Sequence, residues 1–402
     1  MRILVADKFE RSGLDGLQAL GCEVLFEPEL SGPSLEARLN DSAADVLIVR
    51  STKVDAAALE SSRLGLVVRA GAGTNTIDVK AASERGILVA NCPGKNSLAV
   101  AELAFGLILA CDRRIPDNVL DLRRGKWNKK AYSQSRGLHG RTLGILGLGA
   151  IAQEMIVRAR AFGMNVVAYS RWMSVEVAAG LQIGRAESAV QLAQMSDVVT
   201  VHIALTPETK GSLSDEFFGA LKPGSIFINT SRAEVVDQAA LLRAVREGGV
   251  RAGLDVFEGE PEFATGSYQG ELQEEPNVYG THHIGASTEQ AQEAIAAETV
   301  RIVKEYRATG TPPNVVNVKP RQQQAAYLLV VRHLDRVGVL AHVLGVLKDE
   351  SVNVQEMENV VLGGATAAIA QISVDKSPSP EGLLRIKLNP NVFDATAFPI
   401  PK

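Results

Sequence analysis

The residues whose types and spacing could do chemistry fall into two groups. The first is the turn Gly147-Leu148-Gly149-Ala150-Ile151-Ala152. It follows a short apolar run at 143–146 that reads as a buried parallel strand. It opens a segment of helical spacing that runs to Phe162 and closes at Gly163. A second apolar run at 165–169 follows. Strand, glycine turn, helix and strand within about thirty residues form the βαβ unit that binds a dinucleotide. Gly147 allows the tight turn, Gly149 lets the backbone approach a pyrophosphate, and Ala152 keeps helix and strand close. The free N–H groups and positive dipole end of the helix then face the phosphates.

The second group lies at the ends of later apolar runs. Arg232 sits in INTSRAEVVD, Glu260 in LDVFEGEP and His283 in THHIGAST. Oxidising a small hydroxy acid with a dinucleotide asks for three groups. A cation must hold the carboxylate and polarise the carbonyl, which Arg does bidentately. A group with a near-neutral pKa must exchange the hydroxyl proton, which suits His. An acid beside it must orient it and stabilise its charged form, which suits Glu. Spacing alone does not single these three out from 42 Lys and Arg and six His. His139, His202 and His342 read equally well as surface or core histidines.

These groups need elements to position them. Residues 1–97 alternate strand-like runs (2–6, 23–26, 44–49, 66–70) with helical spacing (12–20, 34–39, 55–61), an α/β domain in its own right. Two loops in it place polar or glycine residues at strand ends: Arg50-Ser51-Thr52-Lys53 and Ala70-Gly71-Ala72-Gly73-Thr74-Asn75. The plain reading of Arg50 and Lys53 is solvated loop charge. Residues 96–115 form a long apolar helix that crosses to a second domain, with Glu102 among aliphatics and in need of a partner if buried. The basic segment 122–132 reads as a surface patch or as a reach toward a neighbouring active site. Later strands are expected at 197–202, 225–229, 252–255 and 277–280. An amphipathic helix covers 287–308, and 309–325 reads as a Pro- and Gln-containing linker. From 326 the pattern is β-α-β-β-α with a weak last strand near 392–398, which fits a small ferredoxin-like module.

Composition sets the outer bounds. The 402 residues fit two or three domains. A net charge of −4, with 42 basic and 46 acidic residues, gives no footprint for nucleic acid or a membrane surface. Cys22, Cys92 and Cys111 are odd in number and lack metal-type spacing, which favours a reducing compartment and no disulfide framework, and no metal is expected. The N-terminus begins as a strand with no signal peptide, and no apolar run has transmembrane length, so the expected location is the cytoplasm.

Taken in order, the glycine fingerprint, TSR, LDVFxxEP and HIGxST segments resemble the D-isomer-specific 2-hydroxyacid dehydrogenases, over residues 1 to about 317. The resemblance assigns the three roles above to Arg232, Glu260 and His283. It implies NAD(H) as cofactor, held near Gly147, Gly149, Ala150, Ile151, Ser170, Arg171, Thr206, Thr230, Ser231, Gly285 and Ala286, with Asp255 facing the nicotinamide. VRSTKV, GAGTNTID and GKNSLAVAEL are most similar to the branch that oxidises 3-phospho-D-glycerate. That similarity places Arg50, Ser51, Lys53, Gly73 and Asn96 near the substrate. Basic Arg50 and Lys53 suit a phosphate ester. The tail resembles the ACT module, which implies an amino-acid effector near His333, Asp335 and Asn353.

The implied fold is a Rossmann-type dinucleotide domain (98–283) inserted in a flavodoxin-like substrate domain (1–97 and 284–317), followed by a ferredoxin-like ACT module (326–402). The implied activity is NAD(P)-dependent oxidation of 3-phospho-D-glycerate in L-serine synthesis by a homodimer or homotetramer. The alternatives are another activity of the family, such as a glyoxylate or hydroxypyruvate reductase, and a dinucleotide-sensing binding protein. Three positions depart from the family pattern. Ser170 and Arg171 stand where an acid usually binds the ribose 2′-hydroxyl, which opens the site to NADP(H). His282 replaces a Pro before His283. Asp335 and Val337 replace the usual Asn and Pro of the tail's first loop.

Overall fold

The computed structural model describes residues 1–60, 62–261, 266–318, 325–364 and 366–400. The chain divides into two compact units, Met1–Asn317 and Val318–Lys402.

The first unit contains two parallel sheets. Five short strands make the first: β1 (Arg2–Val5), β2 (Glu23–Phe26), β3 (Val46–Val49), β4 (Leu66–Arg69) and β5 (Leu88–Asn91), in the order β2-β1-β3-β4-β5. This is the flavodoxin-type winding. β3 reads VLIV and is buried at all four positions, as a strand covered on both faces requires. Two elements here escape a reading by periodicity. One is β5, a four-residue run followed at once by Cys-Pro-Gly. The other is the six-residue helix Val79–Glu84, whose cap Asp78 accepts a hydrogen bond from the Ala81 amide at 2.9 Å. The helix expected at 55–61 is observed as Ala56–Glu60, and Ser61 lies outside the described residues.

The second sheet has seven strands: β6 (Thr142–Leu146), β7 (Asn165–Tyr169), β8 (Gly184–Arg185), β9 (Val198–Val201), β10 (Ile226–Asn229), β11 (Arg251–Leu254) and β12 (Val278–Gly280). Their order is β12-β11-β10-β9-β6-β7-β8. The winding reverses direction at β6, so the glycine turn after β6 stands at the switch point where open α/β sheets bind ligands. The two-residue β8 was not expected.

Two helices tie the sheets together. Ser97–Arg113 leaves the end of β5 and packs Ala104, Ile108 and Cys111 into the core under the second sheet. Glu102, which needed a partner if buried, is exposed and pairs with Arg158 at 3.3 Å. Glu289–Thr309 returns to the first sheet and buries Ile295, Ile302 and Val303 against Ile3, Val5 and Leu66. Thr288 caps its start, and Gly310, at φ +73°, ends it. The stretch expected to be linker is therefore structured at first. Asn317 Oδ1 accepts from the Val89 amide at 2.9 Å, and Asn91 N–H donates to Asn314 O at 3.3 Å, stitching this segment to β5. Residues 319–324 of that stretch lie outside the described residues.

The second unit is an antiparallel sheet of β13 (Tyr327–Leu334), β14 (Val354–Val361), β15 (Ala367–Val374) and β16 (Val392–Pro399), in the order β14-β15-β13-β16. Helices Val339–Asp349 and Pro380–Lys387 cover one face, where Leu329, Val331, Ala370 and Ile372 meet Val343, Leu347 and Ile386. The order is that of a ferredoxin-like βαββαβ unit. Ala365, expected to open the third of these strands, is outside the described residues.

Candidate active site

The ends of β10, β11 and β12 bring the three expected catalytic groups toward one cleft. His283 Nδ1 lies 2.7 Å from Glu260 Oε2, and Glu260 Oε1 accepts from the Phe257 amide at 2.7 Å. Burial raises the Glu260 carboxyl, but the His283 hydrogen bond, the Phe257 amide and the charges of His283 and Arg232 outweigh it and hold the group below the usual carboxylate range. His283 has φ +52°, a left-handed backbone rare outside glycine. Asp255 holds the loop in that shape. It is 2% exposed. Its Oδ1 accepts from Thr281 Oγ1 (2.6 Å) and the Ile284 amide (2.9 Å), and its Oδ2 from the Gly285 amide (2.8 Å). The resemblance implied that Asp255 faces the nicotinamide. In this structure both its oxygens accept from the loop that carries His283. His282, its neighbour in sequence, is exposed.

Arg232 follows β10 and is partly buried. Its Nη1 donates to Ser231 O at 2.6 Å and its Nη2 to Asn75 Oδ1 at 3.4 Å, so the guanidinium reaches the glycine loop of the first sheet. A β-carbon at Gly73 would collide with Arg232 Nη2. Burial draws the Arg232 pKa down, against the pull of Glu234 and Glu260. Asn229 fixes the turn: its Nδ2 donates to Arg232 O at 2.8 Å, and its Oδ1 accepts from the Ser231 amide and hydroxyl.

Facing this wall, the end of β3 carries Arg50, whose Nη2 donates to Ser287 Oγ at 3.4 Å. Its loop is organised by Asp7, one residue past Ala6 at the end of the first strand. Asp7 Oδ2 accepts from the amides of Arg50, Ser51 and Thr52 at 2.7–3.0 Å, and its Oδ1 from Ser51 Oγ at 3.1 Å. Lys53 is exposed at the same loop. Asn96 stands at the start of Ser97–Arg113, and its side chain does not cap that helix.

Sequence reasoning missed Asp7 and also Arg69, the last residue of β4. The Arg69 pKa is lowered to about 10, first by burial and then by the charges of Arg232 and Arg50. Its Nε is buried without a partner among the described residues, and a β-carbon at Gly71 would collide with its guanidinium. Arg69 and Arg232 thus stand against the Gly71–Gly73 loop, and Arg50 is near enough for its charge to lower the Arg69 pKa. The signal was present in LVVRAGAG, an arginine closing an apolar run directly before the glycines.

The dinucleotide cradle lies after β6. Gly147 has φ +93°, and a β-carbon there would stand 2.5 Å from the His202 carbonyl. Gly149 precedes the helix Ala150–Ala161 with open space around it; Ile151 lies in the first turn and Ala152 is fully buried. Thr230 is 8% exposed, and its Oγ1 has no partner among the described residues. The same holds for His202 Nδ1, while burial pushes that ring's pKa down to about 3. Gly285 is buried beside Asp255, and Ala286 O accepts from Gln292 Nε2 at 2.6 Å. Ser170 and Arg171 follow β7; Thr206 lies in the loop after β9. A cleared glycine turn with unpartnered polar atoms beside it fits a dinucleotide.

In the second unit, His333 departs from the effector expectation. It is 1% exposed; its Nδ1 faces Leu334 O at 2.7 Å and its Nε2 faces Asn359 Oδ1 at 3.1 Å, so both nitrogens serve the module's own packing. Asp335 and Asn353 are exposed, and the Asn353 amide donates to Asp375 Oδ1 at 2.8 Å.

Residues 105–285 match the family described as D-isomer specific 2-hydroxyacid dehydrogenase, NAD binding domain. The chain is 37% identical over 360 residues to a D-3-phosphoglycerate dehydrogenase of Methanocaldococcus jannaschii, covering 89% of this chain and 67% of that protein. It is 39% identical over 316 residues to the D-3-phosphoglycerate dehydrogenase of Rattus norvegicus, covering 77% and 58%. This chain therefore spans about three fifths to two thirds of the length of these curated relatives. Its fold also matches the NAD+-bound 3-phosphoglycerate dehydrogenase of Entamoeba histolytica, with a TM-score of 0.66 and 27% identity over 80% of this chain and 99% of that one.

Proposed function

The chain belongs to the D-isomer-specific 2-hydroxyacid dehydrogenases, and on that premise we propose that it oxidises 3-phospho-D-glycerate to 3-phosphooxypyruvate in L-serine synthesis. The observation that carries the choice of substrate is the placing of the arginines. Arg69 and Arg232 stand against one glycine loop, with Arg50 within electrostatic reach of Arg69, whereas an unphosphorylated hydroxy acid brings only one carboxylate to such a site. A phosphate monoester adds close to two further negative charges at neutral pH.

NAD+ is the cofactor and supplies the hydride acceptor when bound. Gly147, Gly149, Ala150 and Ile151 hold its pyrophosphate; Thr206, Thr230, Ser231, Gly285 and Ala286 line its path. Arg232 clamps the substrate carboxylate. Arg50 and Arg69, with Lys53, Ser51 and Asn96 at the rim, take the phosphate, and Gly73 leaves room for Arg232. Because Glu260 accepts at Nδ1 of His283, the ring presents Nε2 to the substrate. That nitrogen removes the C2 hydroxyl proton, and Glu260 stabilises the resulting imidazolium. Residues 1–97 with 284–317 act as the substrate-binding part and 98–283 as the dinucleotide part.

The remaining features extend this reading. The tail is an ACT module whose amino-acid effector meets Asp335 and Asn353. A second copy pairs along the Leu98–Ile115 and Leu122–Tyr132 region, where Leu98, Ile115, Leu122 and Trp127 are exposed. The protein works in the cytoplasm; among the described residues no helix is long and apolar enough to cross a membrane. The test is a substrate panel followed by the absorbance of reduced nicotinamide. 3-Phospho-D-glycerate should lead the panel. Preferred turnover of glyoxylate or hydroxypyruvate would reassign the chain within its family, and no turnover with any substrate would leave a dinucleotide-binding protein.

A further inference from the structure

We propose that Glu208, from the loop after β9, supplies the carboxylate for the ribose 2′-hydroxyl that the end of β7 lacks, and that Arg171 opposite it opens the same position to a 2′-phosphate. The inference rests on the dinucleotide reading above and deepens it at the adenosine end.

The sheet order places the two residues on two walls of one space. β6 carries the glycine turn and pairs with β7 on one side and β9 on the other. The segments leaving β7 and β9 therefore flank whatever lies in front of that turn. His202, the first residue past β9, is close enough that its carbonyl excludes a β-carbon at Gly147. The wall after β7 is Ser170-Arg171-Trp172, with no acid and with an indole that is 86% exposed.

The wall after β9 is built, not loose. Thr206 Oγ1 donates to Glu208 Oε2 at 2.6 Å, the Thr206 amide donates to Thr209 Oγ1 at 2.8 Å, and Thr209 Oγ1 donates to Ala204 O at 2.7 Å. The Lys210 amide closes the turn on Thr206 O at 3.0 Å. This network holds one oxygen of the Glu208 carboxylate on the Thr206 hydroxyl and so fixes where the acid stands. The carboxyl is held below its usual range by the Thr206 hydroxyl, by its own backbone amide and by the charge of Arg171, so the guanidinium of the first wall is within electrostatic reach.

The consequence is a balance of opposite charges. A ribose 2′-hydroxyl can donate to Glu208. A 2′-phosphate is repelled by Glu208 and attracted by Arg171, and the short Ser170 side chain leaves space for it. Neither charge alone fixes the choice, so both NAD(H) and NADP(H) bind.

Isothermal titration of the full chain with NADH and with NADPH tests this without turnover. The wild type should bind both, with affinities within about thirtyfold of each other. Arg171→Ala should weaken NADPH about tenfold or more while changing NADH less than about threefold. Glu208→Gln should move the two in opposite directions, weakening NADH and strengthening NADPH by about threefold to tenfold each. A ratio that moves less than about twofold in both variants would overturn the proposal, and so would NADPH binding that is undetectable in the wild type and in Glu208→Gln. Failure of NADH itself to bind would instead overturn the dinucleotide reading.

Discussion

His283 Nδ1 and Glu260 Oε2 stand 2.7 Å apart, on loops that follow different strands of the second sheet. The pair exists because Asp255 grips the amides of Ile284 and Gly285 and holds His283 at φ +52°. A proton-transfer group is thus fixed in orientation by two acids, one in contact with its ring and one beneath its backbone.

Glu260→Gln keeps the shape of the pair but removes its charge. The imidazolium that forms as the hydroxyl proton leaves is then less stabilised. The maximal rate should fall by about two to three orders of magnitude. Steady-state rates of wild type and variant measure this, and an unchanged maximal rate would show that Glu260 does not support the proton transfer.

The two adjacent histidines separate cleanly. His283→Ala should abolish turnover, with cofactor still bound in titration calorimetry. His282→Ala, which alters an exposed side chain, should retain most activity. The reverse pattern would mean that the chemistry belongs to His282.

Gly73→Ala probes the cleft from the opposite wall. The added methyl meets the far end of the Arg232 side chain and no backbone, so the guanidinium moves and the fold stays. The melting temperature should change by no more than a few degrees, while kcat/KM should drop about tenfold or more through the displaced carboxylate clamp. Unchanged kinetics would remove Arg232 from contact with substrate.

Acid stability should carry the mark of Glu298. Its carboxyl is held at about 2, against 4.5 when unperturbed, chiefly by the Arg301 hydrogen bond and also by Asn314 and Lys95, with burial opposing them. A depressed folded pKa gives stability that is complete above the unfolded value and is lost as the pH falls from about 4.5 toward 2. Glu298→Gln should lose about 1–3 kcal/mol at neutral pH and show a flatter decline over that window. Denaturant melts across pH would reveal it, and identical slopes for the two proteins would contradict it.

The second sheet was largely legible in the sequence because its strands are continuous apolar runs and its glycine turn has a fixed grammar. β5 and β8 were not, being four and two residues long with no periodicity to read. In the site, local signals named Arg232, Glu260 and His283 only as candidates among many; their convergence is a property of three strand ends that no window of sequence spans. Asp7 stayed hidden because its work is to gather three amides over forty residues away. His333 misled for the opposite reason, since a polar residue in a loop-facing position was in fact packed inward against Asn359.

On the proposed reading the arginines at the glycine loop select a phosphorylated 2-hydroxy acid. The direct measurement is kcat/KM for 3-phospho-D-glycerate and for D-glycerate, in the wild type and in Arg69→Ala. The wild type should prefer the phosphorylated substrate by at least about two orders of magnitude, and Arg69→Ala should lose most of that preference while changing little on D-glycerate. Equal use of the two substrates by the wild type, or equal losses on both in the variant, would contradict the account.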